Sequence, residues 1–406
     1  MHKEPSRPLL NSFVSSASTD NFVCHSAAVD SFVTPPYACA YSYAARRGGV
    51  PHLAVATEQG SVYIWNTERR LSVDVAAHRI DLNVHDNGVF DVQWSPSDDR
   101  LATASADHTT RITDPIAGRV LCGLHGHTQT AKTVAWHPSH ADLVATGARD
   151  GSICLWDLRV HDRLLKSDGQ LECLGPVATI RCAHEEMGMK GGKRPKTFSP
   201  RAVTSLVYSP LDPHGLISSG SANGILRHWD LRFPKSRGKT KAARDNSIPA
   251  YMSPLDPTML DGGRARGITS LVAGMGPSGS TLFALGCDSR VHSYTLPSLH
   301  PLSESHAHPS MTTNSFYARL AISPCGRWLA TGSTSGAAFV FDVSQVSILR
   351  RVGPKMDGVR LHAQVGEVTA VSWAEGMLAT CSDDGTVRVW RVDSEGIQAT
   401  AHTEDR

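Results

Sequence analysis

The chain has 406 residues, with 40 Lys and Arg against 38 Asp and Glu, and its formal charge of +2 excludes a global electrostatic pull toward nucleic acid. Charged residues make up only 19% of the chain against 40% apolar, and 34 Gly and 23 Pro favour a turn-rich all-β fold over a helical bundle. No run of about eighteen apolar residues occurs, and the N-terminal MHKEPSRPLLNSFVSS lacks the apolar stretch of a secretory signal, so an intracellular protein without a membrane partner is expected.

Residues 1–33 read as an N-terminal extension. Two stretches compete for the outer strand of a last repeat, residues 21–33 (NFVCHSAAVDSFV) and residues 396–402, and the apolar spacing favours the first. Residues 34–392 then carry seven related segments: ATEQGSVYIW, ATASADHTTRIT, ATGARDGSICLW, SSGSANGILRHW, ALGCDSRVHSY, ATGSTSGAAFVF and ATCSDDGTVRVW. They close on Trp65, Thr113, Trp156, Trp229, Tyr294, Phe341 and Trp390. The common interval is close to the ~40–45 residues of a four-stranded propeller blade.

Six positions before each closing residue stands a turn former: Gln59, Asp107, Asp150, Asn223, Asp288, Ser335 and Asp384. In five of the seven Gly follows, as a tight hairpin with positive φ favours. Upstream lie alternating runs such as VFDVQWSP, AKTVAWHP, AVTSLVYSP, FYARLAISP and EVTAVSW, expected as the innermost strands. The fold class is therefore an all-β, seven-bladed WD-repeat β-propeller. His127, Thr146, Asp150 and Trp156 are expected to form a hydrogen-bonded tetrad across one blade, and His362, Thr380, Asp384 and Trp390 the same across the last.

Two intervals are longer than the rest, so insertions follow the third and fourth closing residues. Residues 185–201 carry Lys190, Lys193, Arg194, Lys196 and Arg201, and residues 233–265 carry Lys235, Arg237, Lys239, Lys241 and Arg244. Both read as basic surface loops, with solvated charge, nuclear import and phosphate contact as alternatives. Residues 393–406 form a polar tail.

No catalytic or cofactor signal stands out. Gly274-Met275-Gly276-Pro277-Ser278-Gly279 fits a GxGxxG string, but Pro277 and the strand-like run after it make it a connection inside the fifth repeat. The turn geometry accounts for the carboxylates, leaving no acid and base pair. The nine cysteines are scattered, Cys39, Cys154 and Cys381 in strand-like runs, and are expected as reduced core residues. Cys182-Ala183-His184 has no second pair at zinc spacing, and His306-Ala307-His308 fits the histidine preceding an inner strand, so neither a metal nor a cofactor is expected. The chain reads as a non-enzyme.

Trp156-Asp157-Leu158-Arg159 and Trp229-Asp230-Leu231-Arg232 end consecutive repeats with the same four residues. The Trp should pack within the blade and the Asp should end the strand. The Arg two places on then lies on the rim, where a planar fork of donors can grip carboxylates or carbonyls.

The pair resembles the WDxR boxes with which receptors of cullin-four ligases dock on their propeller adaptor, the damage-specific DNA-binding protein subunit one. With PPYACAYS, LAVATEQGSVYIWNTE, VFDVQWSP, ATGARDGSICLWDLR, STLFALGCDSRVHSY, NSFYARLAISP, EVTAVSW through LATCSDDGTVRVWR, and the basic KGGKRPK, the chain resembles the denticleless (Cdt-two) family from about Pro35 to Arg391.

The resemblance implies a nuclear substrate-recognition subunit of a cullin-four RING ubiquitin ligase, recruiting replication-licensing or cell-cycle proteins for degradation during DNA replication or after damage. It implies adaptor docking through Asp157, Arg159, Asp230 and Arg232, and indirect association with the sliding clamp PCNA on chromatin. Metazoan members continue into a long tail with a clamp-binding box. This sequence shows no such box before Arg406, so direct clamp contact is not expected. The alternative is a chromatin- or RNA-associated WD-repeat scaffold that uses the basic insertions.

Overall fold

The computed structural model describes residues 12–15, 18–26, 31–69, 79–160, 164–165, 171–185, 201–232, 235–236, 247–260, 262–315, 317–344, 353–355, 358–362 and 364–392. Seven blade sheets follow one another along the chain, six with antiparallel strands a to d in sequence order from the inside outward and the seventh with a to c in that order and its outer strand from the N-terminal segment. Strands a to c run Pro36–Tyr41, His52–Thr57 and Ser61–Asn66 in blade 1, and Val89–Trp94, Leu101–Ser105 and Thr109–Asp114 in blade 2. They run Ala131–Trp136, Leu143–Ala148 and Ile153–Asp157 in blade 3, and Val203–Tyr208, Gly215–Gly220 and Arg227–Asp230 in blade 4. Blades 5, 6 and 7 repeat the order from Ile268–Ala273, Leu320–Ile322 and Val368–Ala374.

Hairpin chemistry sets this register. Gly60, Gly151, Gly336 and Gly385 all take φ between +72° and +87° at the b–c turns. A side chain is excluded at some of them: a Cβ on Gly60 would lie 2.0 Å from the His85 carbonyl oxygen. His108 and Ser289, which follow Asp107 and Asp288 where glycine is missing, adopt the same left-handed region at +71° and +62°.

The core lies between blades. Ala102, Ile112 and Leu124 of blade 2 pack against Val134, Val144 and Trp156 of blade 3, and Ile153 and Ile180 of blade 3 pack against Val203, Leu206 and Trp229 of blade 4. A single blade buries neither face, so the ring must close to be stable. It closes through the N-terminal segment: Asn21–Val23 and Phe13–Val14 both pair antiparallel with Thr386–Val392, with Phe22 opposite Val387 and Phe13 opposite Val392. Residues 396–402, the competing stretch, lie outside the described residues.

The blade 3 tetrad forms as expected. His127 Nε2 is 2.7 Å from Thr146 Oγ1, His127 Nδ1 is 3.3 Å from Asp150, and Trp156 Nε1 donates to Thr146 at 2.9 Å. Blade 2 builds the same frame with His85, Thr103 and Asp107. In blade 7 the expectation fails at one member. Trp390 Nε1 donates to Thr380 at 3.0 Å, but Thr380 donates to Gln364 Oε1 at 2.8 Å. His362 is exposed. Gln364 lies four residues before strand a, as His85 and His127 do in their blades, whereas His362 lies six before it, so the Gln364 side chain reaches the threonine, and its amide both donates and accepts as an imidazole would.

The insertions also hold more structure than loops. Glu172–Leu174, from the c–d connection of blade 3, runs parallel to strand d of blade 2, Arg119–His125, and is itself paired by Leu164–Leu165. Gly353–Lys355 does the same from blade 6 onto His300–His306 of blade 5. Tyr251–Met252, within the second basic stretch, is strand d of blade 4, and Lys235–Ser236 pairs with Ser247–Ile248. Lys190, Lys193, Arg194, Lys196, Arg237, Lys239, Lys241 and Arg244, and residues 393–406, lie outside the described residues. The Gly274–Gly279 stretch connects strands a and b of blade 5 through a short 3-10 turn at Gly276–Ser278.

Candidate functional site

The two Trp-Asp-Leu-Arg segments fold identically because their alternation places successive side chains on opposite sides of strand c. Trp156 and Trp229 are each only 2% exposed. Leu158 and Leu231 pack against the same inter-blade layers as their tryptophans. Each Leu N–H donates at 2.9 Å to the a–b turn of its own blade, Leu158 to the Asp142 carbonyl and Leu231 to the His214 carbonyl. Asp and Arg are thereby turned to solvent in both.

Each Asp serves two partners. Asp157 accepts the Arg159 backbone N–H at 3.1 Å, and its two oxygens take Arg159 Nε at 2.9 Å and Nη2 at 2.8 Å. Asp230 accepts the Arg232 backbone N–H at 3.0 Å, with Nε at 3.0 Å and Nη2 at 2.9 Å. The arginine therefore does not offer all five donors. Two are spent on its own Asp, leaving three N–H on the outer edge of a fixed guanidinium plane.

The arginine side chains remain 66% and 52% exposed. The Arg159 hydrogen bonds hold the Asp157 carboxyl below the usual carboxylate range, and the Arg232 hydrogen bonds lower Asp230 to about 2. Both pairs thus persist through the physiological range. As exposed ion pairs they add little to stability. Their effect is to hold two forks in one orientation at the same end of consecutive blades.

The backbone half of this arrangement is general. Asn66 accepts the Glu68 N–H, Asp114 the Ile116 N–H and Asp342 the Ser344 N–H, each at 2.9 Å, at the ends of strand c in blades 1, 2 and 6. Among these five strand ends, only blades 3 and 4 put an arginine two residues on.

A second set of residues escaped sequence reading. The pairing of strands a and b skips one residue in six blades, at Tyr37, Phe90, Lys132, Thr204, Thr269 and Thr369. Arg319 holds the corresponding place in blade 6. These bulges ring the mouth of the central channel at the start of strand a. Strands a and c run in the same direction, so the mouth lies on the face opposite Arg159 and Arg232. These are the second residues of strand a in the six bulged blades, but only the sheet register shows that this position is bulged.

The WD domain, G-beta repeat family profile matches residues 78–114, 118–157, 192–230, 306–342 and 359–391. Most of these matches begin at strand d of one blade and end on strand c of the next, so successive repeats interlock adjacent blades. The denticleless protein homolog A of Xenopus laevis is 31% identical over 372 residues, 88% of this chain and 48% of that protein. The denticleless protein homolog of Danio rerio is 32% identical over 90% of this chain and 53% of its own length, and that of Homo sapiens 30% identical over 88% and 47%. The chain spans about half the length of the curated relatives it matches.

Proposed function

The chain belongs to the denticleless family over its propeller, and from that premise we propose that it is the substrate-recognition subunit of a cullin-four RING ubiquitin ligase. In this reading it works in the nucleus, docks on the propeller adaptor, the damage-specific DNA-binding protein subunit one, and brings replication-licensing or cell-cycle proteins to the ligase. Association with PCNA on chromatin runs through the substrate.

The observation that carries the proposal is the matched Asp157–Arg159 and Asp230–Arg232 geometry on consecutive blades. Each Asp pre-orients its arginine, so docking loses little side-chain entropy, and three free N–H donors per fork suit carboxylates or carbonyls of a partner. The receptor performs no chemistry. It raises the local concentration of a substrate lysine near a loaded conjugating enzyme held elsewhere in the assembly.

Co-purification of the adaptor and cullin-four with the tagged chain tests this. The wild-type chain should carry both. Arg159→Ala combined with Arg232→Ala should remove both while the thermal melt stays in place. Retained adaptor on the double variant would overturn the docking assignment, and absence of the adaptor from the wild-type chain would overturn the ligase reading.

A further inference from the structure

The channel mouth opposite the arginine pair is chemically unlike the rest of the ring. Tyr37, Phe90 and Tyr317 stack on one another, with ring centroids 5.4 to 5.9 Å apart and interplanar angles of 17° to 28°. Lys132 Nζ lies 3.6 Å from the Phe90 centroid and 5.3 Å from that of Tyr317. Arg319 Nη2 donates to the Phe90 carbonyl at 2.9 Å and to the Lys132 carbonyl at 3.0 Å. Blade 6 faces blades 2 and 3 across a seven-membered ring, so Arg319 is a brace over the channel. Below it lies a cavity of about 320 Å³ lined by the inner strands.

The charge balance of this cluster is incomplete. Burial pushes the Lys132 ammonium down to about 8, and the neighbouring Arg319 and Arg149 push it the same way. Arg149, at the b–c turn of blade 3, is exposed. Among the described residues the charged groups that act on Lys132 are both cationic, and its ammonium lies over the Phe90 and Tyr317 rings. Half-buried cations are ordinarily paired or drained of charge, and Lys132 and Arg319 beside the exposed Arg149, on the side of the mouth formed by blades 2, 3 and 6, leave a place for an anion there.

We infer that this mouth is an anion site that takes a carboxylate side chain from an extended segment of a partner protein. Lys132 and Arg149 supply the charge, the Tyr37–Phe90–Tyr317 stack supplies the apolar floor, and Arg319 braces the mouth rather than binding. Aromatic faces and a desolvated ammonium together suit a peptide, whose side chains alternate in polarity.

A nucleic acid fits less well. On the blade 7 and blade 1 side of the same mouth, burial together with Glu367, Asp384 and Glu58 raises the Asp383 carboxyl to about 6, and Glu58 and Asp383 also act on Tyr37. A uniformly charged backbone crossing the mouth would meet these acids, whereas a single acidic side chain need not. Identifying the segment as part of a recruited substrate rests on the receptor reading above. The anion site itself does not, since it is measured on the chain without an adaptor.

The test is fluorescence anisotropy with a labelled Gly-Ser peptide bearing a central Asp-Asp pair, beside its Asn-Asn counterpart and a labelled thymidine dodecanucleotide. The Asp-Asp peptide should bind, and the Asn-Asn exchange, Lys132→Met and Arg149→Gln should each weaken binding about fivefold or more. Arg119→Gln, an exposed charge on the outer strand of blade 2, and the Arg159→Ala, Arg232→Ala double variant should bind as wild type. Equal binding of the two peptides, or wild-type binding by the Lys132 and Arg149 variants, overturns the inference. So does dodecanucleotide binding that is tighter and lost in those same variants. Should Lys132→Met fail to fold, the exposed Arg149 decides alone.

Discussion

Strand c ends in the same way in blades 1, 2 and 6 as in blades 3 and 4, with an Asn or Asp oxygen taking the N–H two residues on. Blades 3 and 4 then lay the guanidinium of the residue two places on across that carboxylate, whereas Asp342 of blade 6 meets Arg327 from its own a–b turn at 3.4 Å. The strand ends of blades 1, 2 and 6 show what a blade needs to finish, and an arginine two residues on is not part of it. Blade 2 takes this further, since it folds with Thr113 where the other blades have an aromatic. Closing a blade is therefore a tolerant requirement, and a fixed, exposed fork repeated in register is a surplus that calls for a partner.

The contrast between what closes a blade and what decorates it can be broken by substitution, with the largest effects expected where closure is touched. Trp156→Ala removes a buried indole and its hydrogen bond to Thr146, and should cost about 3–5 kcal/mol in denaturant unfolding. Gln364→Ala in blade 7 strips the amide that meets Thr380 and Thr386, and should cost about 1–3 kcal/mol, whereas His362→Ala should stay within about 0.5 kcal/mol. The reverse order of those two would restore His362 to the tetrad.

A further effect should appear with pH. Burial alone would lower the His127 pKa, but its hydrogen bond with Asp150 and contact with Cys154 prevail and raise it to about 9. A group raised in the folded state contributes fully below its unfolded pKa of ~6.5, and that contribution is lost as pH climbs through about 9. Stability should therefore fall across that window, and His127→Gln should flatten the slope. An unchanged slope would mean that the imidazole stays neutral in the tetrad. Smallest of all, Arg159→Ala and Arg232→Ala should leave the melting temperature where it is, since both forks are exposed.

The repeat made the blades legible. An Asp-Gly turn at a constant distance from a closing aromatic identifies strands b and c, and alternation upstream identifies strand a. Strand d was poorly marked because it is an edge strand of few residues: Ala178–Ile180 and Tyr251–Met252 carry too little pattern to stand out from the insertions around them. The parallel additions at Glu172–Leu174 and Gly353–Lys355 pair with the preceding blade, which no local pattern announces.

Of the candidate site, the arginines and their shared edge were legible from the duplicated tetrapeptide. Their engagement by Asp157 and Asp230 was not, because it depends on a bidentate geometry that only the folded turn provides. The channel mouth was hidden for a similar reason. Tyr37, Phe90, Lys132 and Arg319 are far apart in the chain and meet only when the ring closes.

The most direct test of the central claim is the affinity of the purified chain for the purified adaptor, measured by calorimetry for wild type, each single arginine variant and the double variant, alongside their melting curves. Each single change should weaken binding roughly ten- to hundredfold and the double change should abolish it, with all four melts superimposed. Wild-type affinity in the double variant, with its fold intact, would contradict the account.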